Sequence, residues 1–321
     1  MFPLRVRARA LALAAAVGVV VLGTASPAAA HSRSPAIALD YRVRLAPETA
    51  SLRGVHVQLV DGGRWLRVRV EPPAVLVVKG SLGEAFLRFA PNGVWVNASS
   101  PTAEAARLAT AGSGWRRLTD RHELTWHDHR LAPPPLESTG FAGRFSLPAT
   151  LDGRPTAIAG TFWRVRKPSL AFWVGACALA VAALAVAAHF LRSSRSSLAA
   201  WVATLGAAAA LAMETAFAVA NPLAHERWLQ VAAAVVLLGA VIATLAVRSS
   251  SARRWIALTV GVYAGLMGLS AASTLWHGVV ISSLPAPAVR AATLIALVCG
   301  CGAVTLAVAA DADRPAARRA R

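Results

Sequence analysis

Five apolar segments occupy the second half of this chain, at residues 170–191, 199–219, 229–247, 255–275 and 290–310. A helix rises about 1.5 Å per residue, so about 20 apolar residues cross a hydrocarbon core of about 30 Å. Segments of this kind predict helices, because backbone groups inside lipid must bond to one another. The arginines between them are unevenly placed. The loops after the first and third segments and the C-terminal tail hold Arg192, Arg195, Arg248, Arg253, Arg254, Arg314, Arg318, Arg319 and Arg321, whereas the other two loops hold only Arg227 and Arg290. This positive-inside pattern predicts that everything before residue 170 lies outside the plasma membrane and that Arg321 lies in the cytoplasm. The predicted layout is an export segment at 1–30, an extracytoplasmic domain at 31–168, a five-span domain at 169–311 and a basic cytoplasmic tail at 312–321.

The net charge of +18 raises the question of a nucleic-acid partner. Part of it is the export segment's Arg5, Arg7 and Arg9, and much of the rest is the topology signal. In the 31–168 region arginine alternates with apolar residues, as in Tyr41-Arg-Val-Arg44 and Arg64-Trp-Leu-Arg-Val-Arg69. That pattern is the solvent face of a sheet, so the expected neighbours are a lipid bilayer and an anionic envelope surface, not nucleic acid. Lys79 and Lys167 are the only lysines among 33 basic residues, a bias expected of a GC-rich bacterial genome. Cys177, Cys299 and Cys301 all fall in apolar segments, so no disulfide braces the outer domain and its core must suffice.

The N-terminus reads as a signal peptide. Three arginines precede a short apolar stretch at 10–22, and Ala28-Ala29-Ala30 offers the small residues a signal peptidase recognises. Cleavage after Ala30 would make His31 the mature first residue. The alternative is an uncleaved anchor, which gives six spans and leaves the outer domain on the same side.

Short alternating runs separated by turn residues recur at 37–45, 55–60, 65–70, 75–78, 85–89, 94–97, 124–127, 143–147 and 156–165. Asp61-Gly62-Gly63 predicts a hairpin turn between two of them. Eight or nine strands in under 140 residues predict an antiparallel β-sandwich, giving an overall fold class of extracytoplasmic β-sandwich followed by a membrane α-bundle. Residues 102–109 read as a helical turn. Residues 131–138, with Pro133, Pro134 and Pro135, read as an extended loop that is no central strand.

Gly83-Glu-Ala-Phe-Leu-Arg-Phe89, Gly93-Val-Trp-Val-Asn97, Ser100-Pro101 and Trp126-His-Asp-His-Arg130 resemble a group of uncharacterised actinobacterial membrane proteins. Those look like secreted β-domains followed by a few spans. The resemblance covers most of the outer domain and the spans only in number and placement, and it implies architecture without activity. Where the family carries an aromatic cluster after the last motif, this chain has Leu131-Ala-Pro-Pro-Pro135.

His127-Asp-His129 is the strongest chemical signal. Residues two apart in a strand face one side, so His127 and His129 would present two imidazoles together, with Asp128 turned away unless the strand ends there. Neutral imidazoles suit copper, zinc or nickel, and a nearby carboxylate completes or orients the set. With His31 as the mature N-terminus, its amine and ring would chelate Cu(II) as a pair. A secreted β-sandwich with these elements is similar to the CopC type of copper-binding protein. The candidate metal set is therefore His31, His127, Asp128 and His129, with copper as the candidate ion. The competing reading has Trp126 in the core and Asp128 paired with Arg130 or Arg121.

A second cluster is expected at the outer membrane face. Glu214 falls about 8 Å below the end of its segment, and an ionisable residue at that depth is a functional candidate. His225, Glu226 and His277 flank it in the outer loops, and the four predict a proton or metal site. The competing reading pairs Glu214 with Arg227 or Arg290 to hold the bundle. Gly261 and Gly265 form a small-xxx-small packing face, and Cys299 and Cys301 read as packing residues beside Gly300 and Gly302. No phosphate-binding glycine loop, nucleotide motif or catalytic triad occurs, and the chain is read as non-enzymatic. Two functions remain open: extracytoplasmic copper binding or handling, and an interaction module that docks an envelope protein with the spans as anchor.

Overall fold

A computed structural model describes residues 36–109, 111–135, 138–221, 225–246 and 249–312. The expected export segment, His31 and the basic tail beyond Ala312 lie outside the described residues. The described residues form two compact units, one spanning Leu39–Arg166 and the other holding residues 36–38 and those from Lys167 to Ala312.

The first unit is built from antiparallel strands. A seven-stranded sheet runs β1 (Tyr41–Leu45), β10 (Arg154–Arg164), β9 (Gly140–Leu151), β4 (Leu76–Lys79), β5 (Ala85–Ala90), β6 (Gly93–Asn97) and β7 (Trp115–Thr119). A three-stranded sheet runs β2 (Val55–Val60), β3 (Trp65–Val70) and β8 (Glu123–His127). Period-2 alternation sets the faces: β3 turns Leu66, Val68 and Val70 inward and Arg67 and Arg69 outward. The inward side chains of both sheets belong to one core, in which Leu66, Val68 and Trp126 of the smaller sheet share a cluster with Leu76, Phe86, Phe89, Ile158 and Phe162 of the larger. With no cysteine in this unit, that core and a few buried polar ties hold it.

Two turns set the long hairpins. Asp61-Gly62-Gly63 joins β2 to β3 with positive φ at all three residues (53°, 67° and 92°), and Arg64 Nη1 donates to Asp61 Oδ2 at 3.2 Å. Asp152 (φ 50°) and Gly153 (φ 79°) join β9 to β10, the left-handed pair that a tight hairpin turn requires. Residues 131–135 form no strand, and the helical turn expected at 102–109 is a short helix at Pro101–Ala105 capped by Ser100.

The second unit contains five long helices among the described residues: α1 (Leu170–Phe190), α2 (Arg195–Ala220), α3 (His225–Ala246), α4 (Ser250–Ser270) and α5 (Ala286–Ala312). Three of them, α1, α2 and α5, are long and apolar enough to cross a membrane. The segment expected at 229–247 corresponds to a shorter apolar stretch, Arg227–Ala243. The segment expected at 255–275 stops being α-helical at Ser270, where a 3₁₀ turn, Ala272–Leu275, takes over.

Helices α2, α4 and α5 pack against one another, α3 lies against α2 and α4, and α1 touches α5. The α4–α5 contact is made backbone to backbone. A Cβ added at Gly300 would stand 2.3 Å from the Gly265 nitrogen, and one at Gly268 would stand 2.5 Å from the Leu297 nitrogen. Gly206 of α2 closes the junction, its virtual Cβ lying 3.3 Å from Ala264, Cys299 and Gly300 atoms. Glycine at these positions lets α4 and α5 meet backbone to backbone and lets α2 close on them against small side chains. The environments differ, however, and predict different outcomes. Gly300→Ala should destabilise the detergent-solubilised helical unit by about 1–3 kcal/mol through overpacking. Gly265→Ala, whose new Cβ would have 3.7 Å to its nearest neighbour, should stay within about 1 kcal/mol of wild type in the same thermal assay.

Candidate functional site

The Trp126-His-Asp-His-Arg130 segment leaves the end of β8 and enters a 3₁₀ turn at His129–Leu131. Trp126 is buried, with its ring 6.3 Å from that of Phe89. Alternation continues past the strand end, so His127 and His129 face solvent and Asp128 faces inward. Asp128 is 3 % exposed and fully engaged. Its Oδ1 accepts from Arg130 N (3.0 Å) and Nε (2.8 Å), and its Oδ2 accepts from Arg130 Nη2 (2.7 Å) and Trp126 Nε1 (3.4 Å). Arg130 Nη1 then donates to the carbonyl of Lys79, the last residue of β4, at 3.0 Å. The carboxylate thus bridges, through one arginine, from the smaller sheet to the larger. Burial alone would raise its pKa, but the hydrogen bonds and charge of Arg130, with Trp126, hold it below the usual aspartate value.

The two imidazoles are engaged separately. His127 sits edge-on to Trp65, with ring centroids 5.7 Å apart, and its pKa is lowered by burial first and by the nearby Arg64 second. His129 Nε2 lies 3.2 Å from Ser81 Oγ. Of the expected metal set, His31 lies outside the described residues and Asp128 is committed to Arg130. Among the described residues no group of three His, Cys, Asp or Glu side chains is arranged to hold a metal ion.

The Ser81 turn contains a carboxylate that sequence reading missed. Glu84 Oε1 accepts from Ser100 Oγ and Thr102 Oγ1, both at 2.7 Å, and Oε2 accepts from Leu82 N at 3.0 Å. Its burial is a raising influence, yet the hydroxyl and amide bonds outweigh it and hold the pKa down to about 2. Thr102 Oγ1 also accepts from Ser81 N at 2.8 Å. Gly80 has no room for a Cβ, which would stand 1.9 Å from Glu84 Oε1. The Ser81–His129 pair places a hydroxyl against an imidazole, but the amides of Ser81, Leu82 and Gly83 all donate within the turn, to Thr102, Glu84 and the Gly80 carbonyl. None of those three is left to stabilise an oxyanion. Ser100-Pro101 was a readable helix start; the distant Glu84 had no local signal.

In the helical unit Glu214 is 1 % exposed, and its Oε2 accepts from Arg227 Nη1 at 3.2 Å. The Arg227 guanidinium also lies 5.1 Å from the centre of the Phe217 ring. This is the pairing alternative. His225 and Glu226 open α3, but their side chains lie outside the described part. His277 contributes through its backbone, its carbonyl accepting from Arg290 Nη2 at 2.9 Å. Arg290 Nε donates to the Thr274 carbonyl at 2.9 Å and Nη2 to that of Gly278 at 3.3 Å. Arg290 therefore satisfies carbonyls in the 3₁₀ turn and the segment just after it. Nearby, Tyr263 Oη donates to the Gln230 carbonyl at 2.8 Å, while the buried Gln230 Oε1 has no partner.

Comparison of the chain with protein-family models, curated proteins and solved structures finds no match.

Two outcomes follow from the buried carboxylates. Asp128→Ala should lower the stability of the β unit by about 3–5 kcal/mol in denaturant titration, because it strands the Arg130 charge. The Asp128 pKa is lower in the folded state than in the unfolded one. Its contribution is therefore complete above about pH 4 and disappears as pH falls through the depressed value, so the variant should show a smaller acid-induced loss than wild type. In the helical unit, Glu214→Ala should destabilise by a similar amount of about 3–5 kcal/mol, whereas Glu214→Leu combined with Arg227→Met should restore wild-type stability or exceed it. A double variant no more stable than Glu214→Ala would contradict the pairing role.

Proposed function

We propose that this is a multi-pass envelope protein in which an extracytoplasmic antiparallel β-sandwich is carried on five membrane-spanning helices, and that the sandwich is a non-enzymatic docking module. The supporting observation is how the fold uses the carboxylates it ties down. Asp128 is held by Arg130, Glu84 by Ser100 and Thr102, and Glu214 by Arg227, all in bracing roles. What the β unit offers to the outside is surface, which is the equipment of a recognition domain.

The span count and orientation rest on the arginine asymmetry together with the five helices. Helix α3 has a shorter apolar stretch than α1, α2 and α5, and both α3 and α4 pack on α2, which lets them cross as members of a bundle. A reporter active only in the cytoplasm should work when fused after Arg321 and stay silent when fused after Arg227. The reverse pattern would overturn the orientation.

Copper binding is the second reading, favoured by the solvent-facing imidazoles of His127 and His129 and by the depressed pKa of His127, which keeps that ring neutral at neutral pH. On this reading the processed full chain binds Cu(II) ahead of Zn(II), and binding weakens in His127→Ala, in His129→Ala, and as pH falls far enough to protonate the His127 ring, whose pKa lies below the ordinary imidazole value. Calorimetry showing the same Cu(II) uptake by wild type and by the double variant removes copper and leaves docking.

A further inference from the structure

Arginines face outward on both sheets of the β unit, and some are paired, as Arg117 on the larger sheet is with Asp120 at 2.7 Å. On the smaller sheet Arg67 is paired with Glu123 at 2.6 Å, and His56 with Glu71 at 3.0 Å. None of the seven strands of the larger sheet contains an aspartate or a glutamate. At one end of that sheet, register places Phe141 opposite Trp163 and Trp163 opposite Arg42, with Thr161 between Arg44 and Arg144. Phe141 is 53 % exposed and Trp163 is 37 % exposed, large values for aromatic rings on a sheet. The rings meet edge to face at 5.7 Å, Arg44 lies 5.6 Å from the centre of the Trp163 ring, and Arg144 lies 6.0 Å from that of Phe141. Among the described residues, Arg42, Arg44 and Arg144 have no carboxylate partner.

We infer that this Phe141–Trp163 cluster, with Arg42, Arg44 and Arg144, binds the headgroup layer of an anionic phospholipid bilayer. Two observations select that occupant. The first is charge complementarity: three outward guanidinium groups without carboxylates suit phosphates, and the exposed Trp and Phe rings suit the headgroup level of a membrane. The second is continuity of the chain. Trp163 is the penultimate residue of β10, and Leu170 begins α1, an apolar helix long enough to cross a membrane. Seven residues of fully extended chain, from Trp163 to Leu170, span at most about 25 Å. The inference rests on the reading of α1 as a membrane span.

The test uses the full chain in lipid nanodiscs whose acyl chains carry bromine near the headgroups, which quenches nearby tryptophan. Wild type minus Trp163→Phe isolates the emission of Trp163, and wild type minus Trp115→Phe gives a control at the opposite edge of the sheet. Trp163 should be quenched in discs containing phosphatidylglycerol and much less in pure phosphatidylcholine, with Trp115 unaffected in both. Each arginine near an anionic surface contributes about a fivefold preference, so Arg42→Glu with Arg44→Glu should abolish the quenching. A chain that resists alkaline extraction from membranes yet shows no phosphatidylglycerol-dependent quenching overturns the lipid surface. An emission change produced only by an anionic envelope polysaccharide does so too and reassigns the patch. A chain released by alkaline extraction instead overturns the membrane reading itself.

Discussion

One carboxylate ties the two sheets of the β unit together. Asp128 leaves the smaller sheet facing inward, takes two nitrogens of Arg130, and Arg130 passes a third hydrogen bond to the end of β4 in the larger sheet. A buried ion pair adds little net stability compared with an apolar replacement, but its geometry is demanding and a wrong register strands a charge. The tie therefore contributes more to specifying how the sheets meet than to how strongly they adhere. Its neighbours act on the same turn: His129 contacts Ser81, and Glu84 gathers Ser100 and Thr102 from the following helix. The β4–β5 turn is held from three sides, by His129, by Glu84 and by Arg130 on the Lys79 carbonyl.

Alternation made the inner strands legible. Residues 55–60 and 65–70 were readable to their ends because one face of each is buried and a one-residue slip would expose it. Strand β7 was not, since Trp115, Arg116 and Arg117 lie exposed in succession at the sheet edge and show no period of two. Strand β9 extends to both sides of the expected 143–147, past Gly143 and Pro148. Pro148 is tolerated because it sits just before the stretch where β9 gains β4 as a second neighbour. The Asp128–Arg130 pair was visible as a near neighbour in the chain. Glu84 was not, because its partners lie 16 and 18 residues away and only the folded turn brings them together.

The helical unit shows the same division. Apolar length located all five helices, but hydropathy has no information on where a helix ends within an apolar stretch. Helix α4 ends at Ser270 and a 3₁₀ turn follows, where Arg290, sixteen residues beyond Thr274, satisfies the Thr274 carbonyl. The glycines were readable as packing positions, whereas the difference between Gly265 and Gly300 depends on which helix lies opposite and at what height.

The two arginines on the sparsely charged side, Arg227 and Arg290, are both drawn into the fold, one by Glu214 and the other by three carbonyl groups. A salt-bridged pair is electrically neutral, so a transmembrane voltage exerts almost no net force on Glu214 and Arg227 together. On the proposed orientation, nine of the eleven arginines after residue 168 lie toward the cytoplasmic side. On that reading, a resting potential that is negative inside would hold those charges where they are, and the bundle would be indifferent to voltage.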